Sequence, residues 1–280
     1  MARRGTRNLE SPKPGSAAAE FGKAAERAEQ ERAERRGPRD TESDAWIDGG
    51  PVRDQAERAV ARGAGRGSRR KEVSAEVAEE VGRAAGPNWA ARVTERLNDA
   101  ARAFQAERYR DARRILEPLL ERAPSAIPVR ELLGLTYYRM GKWRDAAREL
   151  GAVELVTGSV DHHPVLADCA RAQKRYDEVE RLWDELRRTG AGVDVVIEGR
   201  IVTAGALADQ GRVADAIRLL EGGPRDVRKP QEHHLRLWYA LAAQYEQAGD
   251  VSRARSLFTR IVEVAPDFAD ALDRLEGLGG

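Results

Sequence analysis

The stretch that decides the fold is Leu235-Arg236-Leu237-Trp238-Tyr239-Ala240-Leu241-Ala242-Ala243-Gln244-Tyr245. Trp238, Leu241, Ala242 and Tyr245 stand at i, i+3, i+4 and i+7, which puts them on one face of a helix. Ala254, Phe258 and Ile261 then repeat the one-turn spacing, and Pro266 stops the run. Between the two runs, Ala248-Gly249-Asp250 reads as a turn. The pattern is a helical hairpin. Small residues at Ala242 and Ala254 let the paired axes approach, and the large residues interlock around them.

The same pattern recurs upstream. One small or β-branched residue marks each second helix: Ala112, Ala146, Val179, Ala216 and Ala254, spaced 34, 33, 37 and 38 residues apart. That is the period of a helix–turn–helix repeat. A large apolar residue follows each marker by one turn: Leu116, Leu150, Trp183, Leu220 and Phe258. Leu119, Val153, Leu186 and Ile261 follow in four copies, whereas the fourth copy has Gly223, because Glu221-Gly222-Gly223-Pro224 ends its helix early. The inner turns are Glu107-Arg108-Tyr109, Met140-Gly141-Lys142-Trp143, Lys174-Arg175-Tyr176, Gln210-Gly211-Arg212 and Ala248-Gly249-Asp250. Three of them carry the glycine that lets a helix end in the left-handed conformation. Tyr109, Trp143 and Tyr176 are placed to cover the corner in the first three copies. One hairpin buries only part of its apolar face, so neighbours must stack to bury the rest.

At these residues the chain resembles the tetratricopeptide repeat family. The last copy carries Trp238-x-x-Leu241-Ala242-x-x-Tyr245, Ala254, Phe258 and Pro266, with Ala242 where the family has glycine. The second has Leu133-Gly134, Tyr137, Ala146 and Leu150, and the first keeps Ala112 and Pro124. The third and fourth diverge. The resemblance spans residues 93–268. It implies an all-α, right-handed helical-repeat solenoid of about five repeats, with 88–268 as the repeat domain and 269–280 as the capping helix and end. Phe268, Leu272 and Leu275 are the apolar residues of that cap. The layout, an Arg-rich tail ahead of such an array, resembles that of uncharacterised actinobacterial tetratricopeptide proteins.

Residues 1–87 read differently. Large apolar residues are sparse, and Gly, Pro, Arg and Glu fill the gaps. Such a segment cannot bury enough apolar surface to offset about 1–2 kcal/mol per residue of backbone ordering. A disordered tail with transient helices is expected. Ala17–Arg36 is a polar helix candidate, and Lys71–Ala85 a stronger one, with Val73, Val77 and Val81 one turn apart. Trp46-Ile47, alone in an acidic setting, reads either as a short docking motif or as a chance apolar pair. Arg62, Arg66, Arg69, Arg70 and Lys71 form a flexible basic tract that suits RNA contact. It lacks interleaved aromatics, and the codon bias of a GC-rich genome also explains the arginines.

The resemblance implies that the first helix of each pair lines a concave groove. The groove residues expected to meet a partner are Leu135, Tyr138, Arg139, Asp168, Arg171, Arg236, Tyr239 and Glu246. Their mixture of apolar, tyrosine and both charge signs suits an extended or helical peptide. The competing reading is that several of them pack the next helix. Family members that hold a chaperone's C-terminal carboxylate use a Lys/Asn/Arg clamp. Here those places hold Leu97, Ala101, Glu131, Leu135, Pro164 and Asp168, and no clamp can be assembled.

No catalytic constellation, cofactor motif or metal site is assigned. Gly134 to Gly141-Lys142 has the wrong spacing for a phosphate loop and Trp143 where Ser or Thr must bind magnesium. His162-His163, with Asp161 and Cys169, makes a loose cluster two repeats from His233-His234, without fixed ligand spacing. These histidines read as helix-start or surface residues, and Cys169 as buried and inert. A single cysteine excludes an internal disulfide. The net charge of +1 gives no global pull toward nucleic acid or membrane. Apolar runs fall far short of the roughly 18–20 residues that cross a bilayer, and no apolar stretch follows the basic start Met1–Asn8. A cytoplasmic, non-catalytic scaffold or adaptor for another protein or peptide is therefore the expected function, with an RNA-associated factor as the alternative.

Overall fold

The protein is described here by a computed structural model, which covers residues 75–86 and 88–279. Ala17–Arg36, Trp46-Ile47 and the Arg62–Lys71 tract lie outside the described residues.

The described chain is all helix. α1 (Ala75–Ala85) is followed by five antiparallel pairs: α2 (Ala90–Gln105) with α3 (Tyr109–Arg122), α4 (Ile127–Arg139) with α5 (Trp143–Thr157), α6 (His163–Ala172) with α7 (Tyr176–Leu186), α8 (Val193–Asp209) with α9 (Val213–Glu221), and α10 (Glu232–Gln247) with α11 (Val251–Val264). α12 (Ala271–Gly277) closes the array. Each helix packs on the next in the chain, and α8 also packs on the first helices of both flanking pairs, α6 and α10. This is the quasi-one-dimensional contact pattern of a helical-repeat solenoid.

The markers sit at its centre. Ala112, Ala146, Ala216 and Ala254 are fully buried, and Val179 nearly so. Leu116, Leu150, Leu220 and Phe258 are also fully buried. Removing such a side chain costs roughly 2–5 kcal/mol. Gly134 shows why one first-helix position must be small: a Cβ there would lie 2.7 Å from Leu150 Cγ. The odd Gly223 of the fourth repeat has a different reason. A Cβ there would lie 2.6 Å from Leu237 Cδ2, so the slot that other repeats fill themselves is filled by the next repeat's Leu237, itself 1% exposed.

All five inner turns share one geometry. The amide nitrogens of Arg108, Lys142, Arg175, Arg212 and Asp250 donate to Ala103, Tyr137, Ala170, Leu207 and Tyr245 carbonyls at 2.8–2.9 Å. Each is the outer bond of a Schellman cap, which needs a left-handed residue just before the donor. Gly141, Gly211 and Gly249 supply it at φ 67°, 77° and 77°. Glu107 and Lys174 take the same conformation, at φ 59° and 58°, with side chains that disfavour it. Tyr109 packs edge-on against Phe104, and Trp143 against Tyr138, over two of these corners.

At the N-terminal end, α1 buries Val77 and Val81 and packs on α2, so the helix anticipated from the valine spacing joins the array. At the other end, α12 buries Ala271, while Leu272 stays 44% exposed. A non-helical loop joins α9 to α10, and its Arg225, Arg228 and Lys229 are exposed.

Candidate functional site

The first helices α4, α6, α8 and α10 carry a ladder of polar bonds, each rung joining one repeat to the next. The Tyr138 hydroxyl on α4 donates to Asp168 Oδ2 on α6 at 2.8 Å. His162, just before α6, lies 2.9 Å from Glu131 Oε1 on α4. Arg171 on α6 grips Asp209 on α8 through Nε and a terminal nitrogen, at 2.6 and 3.1 Å. Arg236 on α10 grips Glu198 on α8 in the same way, at 2.7 and 3.1 Å. Tyr239 on α10 donates to Asp270, and Arg274 on α12 donates to Glu246 at 2.5 and 3.1 Å.

Most of the residues expected to line a groove belong to this ladder. Tyr138, Asp168, Arg236 and Tyr239 are buried in it; Arg171 and Glu246 are bonded in it with part of their side chains exposed. Leu135 is fully buried in α4. Arg139 lies over the Tyr109 ring, 4.9 Å from its centroid, so it too reaches across a repeat boundary. Of the ladder partners, Glu198 and Asp270 carry no expectation from sequence, whereas Asp209 is a first-helix face position of the fourth copy. The separations hold a signal that finds them: 30, 38, 38 and 31 residues for Tyr138–Asp168, Arg171–Asp209, Glu198–Arg236 and Tyr239–Asp270, about one repeat each.

The electrostatics follow from burial. Burial and the nearby Asp168 carboxylate push the Tyr138 phenol well above its ordinary value. Burial and the bond to Asp270 raise Tyr239 in the same direction. Burial, with Asp168 adding to it, also pushes the Cys169 thiol far up, which removes the thiolate that nucleophilic chemistry needs.

The histidines stand at helix starts, as expected, but His162, His163 and His234 are buried and only His233 keeps partial exposure. His162 and His163 are 3% and 1% exposed. His163 opens α6 as expected, but its partners are Glu154, Glu185 and the Leu182 carbonyl rather than Asp161 or Cys169. Among the described residues, Glu154, His163 and Glu185 are the group of three whose donor atoms could share a metal ion. His234 accepts from the Gln231 amide at 3.0 Å and caps α10. Burial and the neighbouring His234 lower the His233 pKa. No helix among the described residues is long and apolar enough to cross a membrane.

Comparison with known proteins fits this geometry. Residues 235–275 match the tetratricopeptide repeat family model. A thermophilic tetratricopeptide repeat protein of Thermus thermophilus superposes with a TM-score of 0.51 at 16% identity, covering 66% of this chain and 98% of that one. A Podosopora anserina putative kinesin light chain with nearly identical tetratricopeptide-like repeats matches with a TM-score of 0.48 at 20% identity, over 62% of this chain and 94% of its own. No curated protein matches the chain in sequence. In sequence over the last repeat, and in fold over the array, the chain is similar to tetratricopeptide repeat proteins.

Proposed function

We propose that the array is a non-catalytic protein-binding scaffold whose first-helix face receives an extended or helical peptide. The observation that carries this reading is the ladder, which fixes α4, α6, α8 and α10 in register as one continuous face. A preorganised face spends little free energy on ordering itself when a ligand arrives. Arg139, Arg171, Ala243 and Glu246 retain exposure along it and offer mixed charge beside small apolar area. Such a surface suits a peptide with its own alternating charge. The absence of a thiolate at Cys169 and the mutual pairing of the ladder carboxylates support a binding role over a reaction centre.

The test is affinity purification with the full chain from the native cell lysate, with and without RNase, beside Arg139→Glu/Ala243→Glu. These two positions lie outside the buried rungs, so the helical signal should be unchanged. Proteins that survive RNase and are lost from the variant support the proposal. Partners that vanish with RNase, and whose binding weakens steeply as salt rises, point instead to the basic tract at Arg62–Lys71. Partners unaffected by the variant remove the first-helix face from the account.

A further inference from the structure

Three side chains from three consecutive helices converge at the start of α6. His163 is 1% exposed, and its Nδ1 lies 3.2 Å from the Leu182 carbonyl oxygen. A carbonyl can only accept, so Nδ1 carries a proton and donates it. Nε2 then points at two carboxylates: Glu154 Oε1 on α5 at 3.1 Å and Glu185 Oε2 on α7 at 4.0 Å. All three donor atoms lie within 4.8 Å of one another. Arg181 holds the other oxygen of Glu185 at 2.9 Å, leaving Oε2 turned toward the ring. The two glutamates keep 30% and 35% of their side-chain exposure, which gives an ion a route from solvent.

We infer that Glu154, His163 and Glu185 bind one divalent first-row transition ion, with Zn²⁺ the best match. With its proton on Nδ1, a neutral imidazole presents a lone pair at Nε2. A proton at Nε2 would serve Glu154 alone, 3.1 Å away, and leave Glu185 Oε2 at 4.0 Å without a bond to the ring. A dication at that point ligates all three groups and cancels both negative charges. The Nδ1–H bond to a backbone carbonyl is the outer contact that fixes the tautomer of a metal-bound histidine. Imidazole nitrogen favours a transition ion over Mg²⁺ or Ca²⁺, and the lack of a thiolate disfavours Cu(I). Ligands at about 2.0–2.1 Å from a tetrahedral ion stand roughly 3.3 Å apart. The His163–Glu154 separation already fits, and rotation of the partly exposed Glu185 has to close its distances to both other ligands. Three protein ligands leave the fourth position to water or to a side chain from a bound partner. The ion would join α5 of the second repeat to α6 and α7 of the third.

The test uses chelator-stripped full-length protein titrated with ZnCl₂, read by calorimetry and by thermal unfolding. One equivalent of uptake with a rise in Tm is expected. Glu154→Gln/Glu185→Gln should weaken uptake at least about tenfold and abolish the Tm rise, with the metal-free circular dichroism unchanged. His163 is buried, so His163→Gln is read only beside that variant, while His233→Gln should bind as the parent does. No saturable uptake, uptake undiminished in Glu154→Gln/Glu185→Gln, or equal uptake of Mg²⁺ would each overturn the assignment.

Discussion

Arg236 and Glu198, 38 residues apart in sequence, meet through two N–H···O bonds and lock α10 to α8. Both side chains are almost wholly out of water, 7% and 10% exposed. Loss of one partner removes both of these bonds from a charge that stays buried. Arg236→Ala or Glu198→Ala should therefore lower stability by about 3 kcal/mol, with the double variant costing less than the two together. Urea unfolding of all four proteins tests this. Strict additivity would show that the pair is not coupled.

The two non-glycine turns make a second prediction. Left-handed backbone costs an ordinary residue about 1–2 kcal/mol, and glycine gives back roughly 0.5–1 in the unfolded chain. Lys174→Gly and Glu107→Gly should each stabilise the protein by about 0.5 kcal/mol, while Gly211→Ala should destabilise it by about 1 kcal/mol. Thermal midpoints of the three variants decide it. A loss of stability in Lys174→Gly would show that its side chain contributes more than its backbone conformation costs.

Restoring the missing apolar residue of the fourth repeat should be harmful. Gly223→Ala places a Cβ 2.6 Å from the Leu237 methyl, in a slot already filled. Overpacking of this kind costs about 1–3 kcal/mol, and Gly223→Leu should cost more. Chemical denaturation of both variants is the check, and a gain in stability would mean that Leu237 has room to retreat.

The buried phenols set the behaviour in alkali. Burial and Asp168 raise Tyr138, and burial and Asp270 raise Tyr239. A phenol whose folded pKa exceeds its unfolded value of about 10 keeps its proton longer in the folded state. Its contribution is whole below about pH 10 and declines as the pH climbs from there toward the folded pKa. Stability should fall as the pH rises above about 10, and Tyr138→Phe should flatten that fall while lowering stability at pH 8 by about 1–2 kcal/mol, because Asp168 loses a donor. An equally steep fall in the variant would assign the alkaline loss elsewhere.

How much of this was legible in the sequence differs between the two helices of a pair. Second helices such as α7 and α11 bury one stripe, so Val179, Trp183, Leu186, Ala254, Phe258 and Ile261 announce themselves by period. α4 and α8 are enclosed on more than one side, with Ile127 to Leu135 and Val195 to Leu207 buried around much of the helix, and their periodicity is blurred. The polar residues of the first helices were harder still. Tyr138, Asp168 and Arg236 are the residue types that a partner-binding face would use, and nothing local distinguishes a side chain aimed at a ligand from one aimed at the adjoining repeat. The distinction lies in complementary partners one repeat away. The convergence of Glu154, His163 and Glu185 depends on how three helices cross, which spacing along one helix does not encode.

The loop between α9 and α10 has a further consequence. Its exposed Arg225 and Arg228 offer trypsin two cleavage sites, whereas Lys229 is shielded by the Pro230 that follows it. Two contacts between the fourth repeat and the fifth, the packing of α8 on α10 and the grip of Arg236 on Glu198, do not pass through that loop. A nick there would divide the chain into two fragments that still migrate together under native conditions and separate in denaturant. Native co-migration of the two fragments would show that packing alone, without covalent continuity, holds the fifth repeat on the fourth.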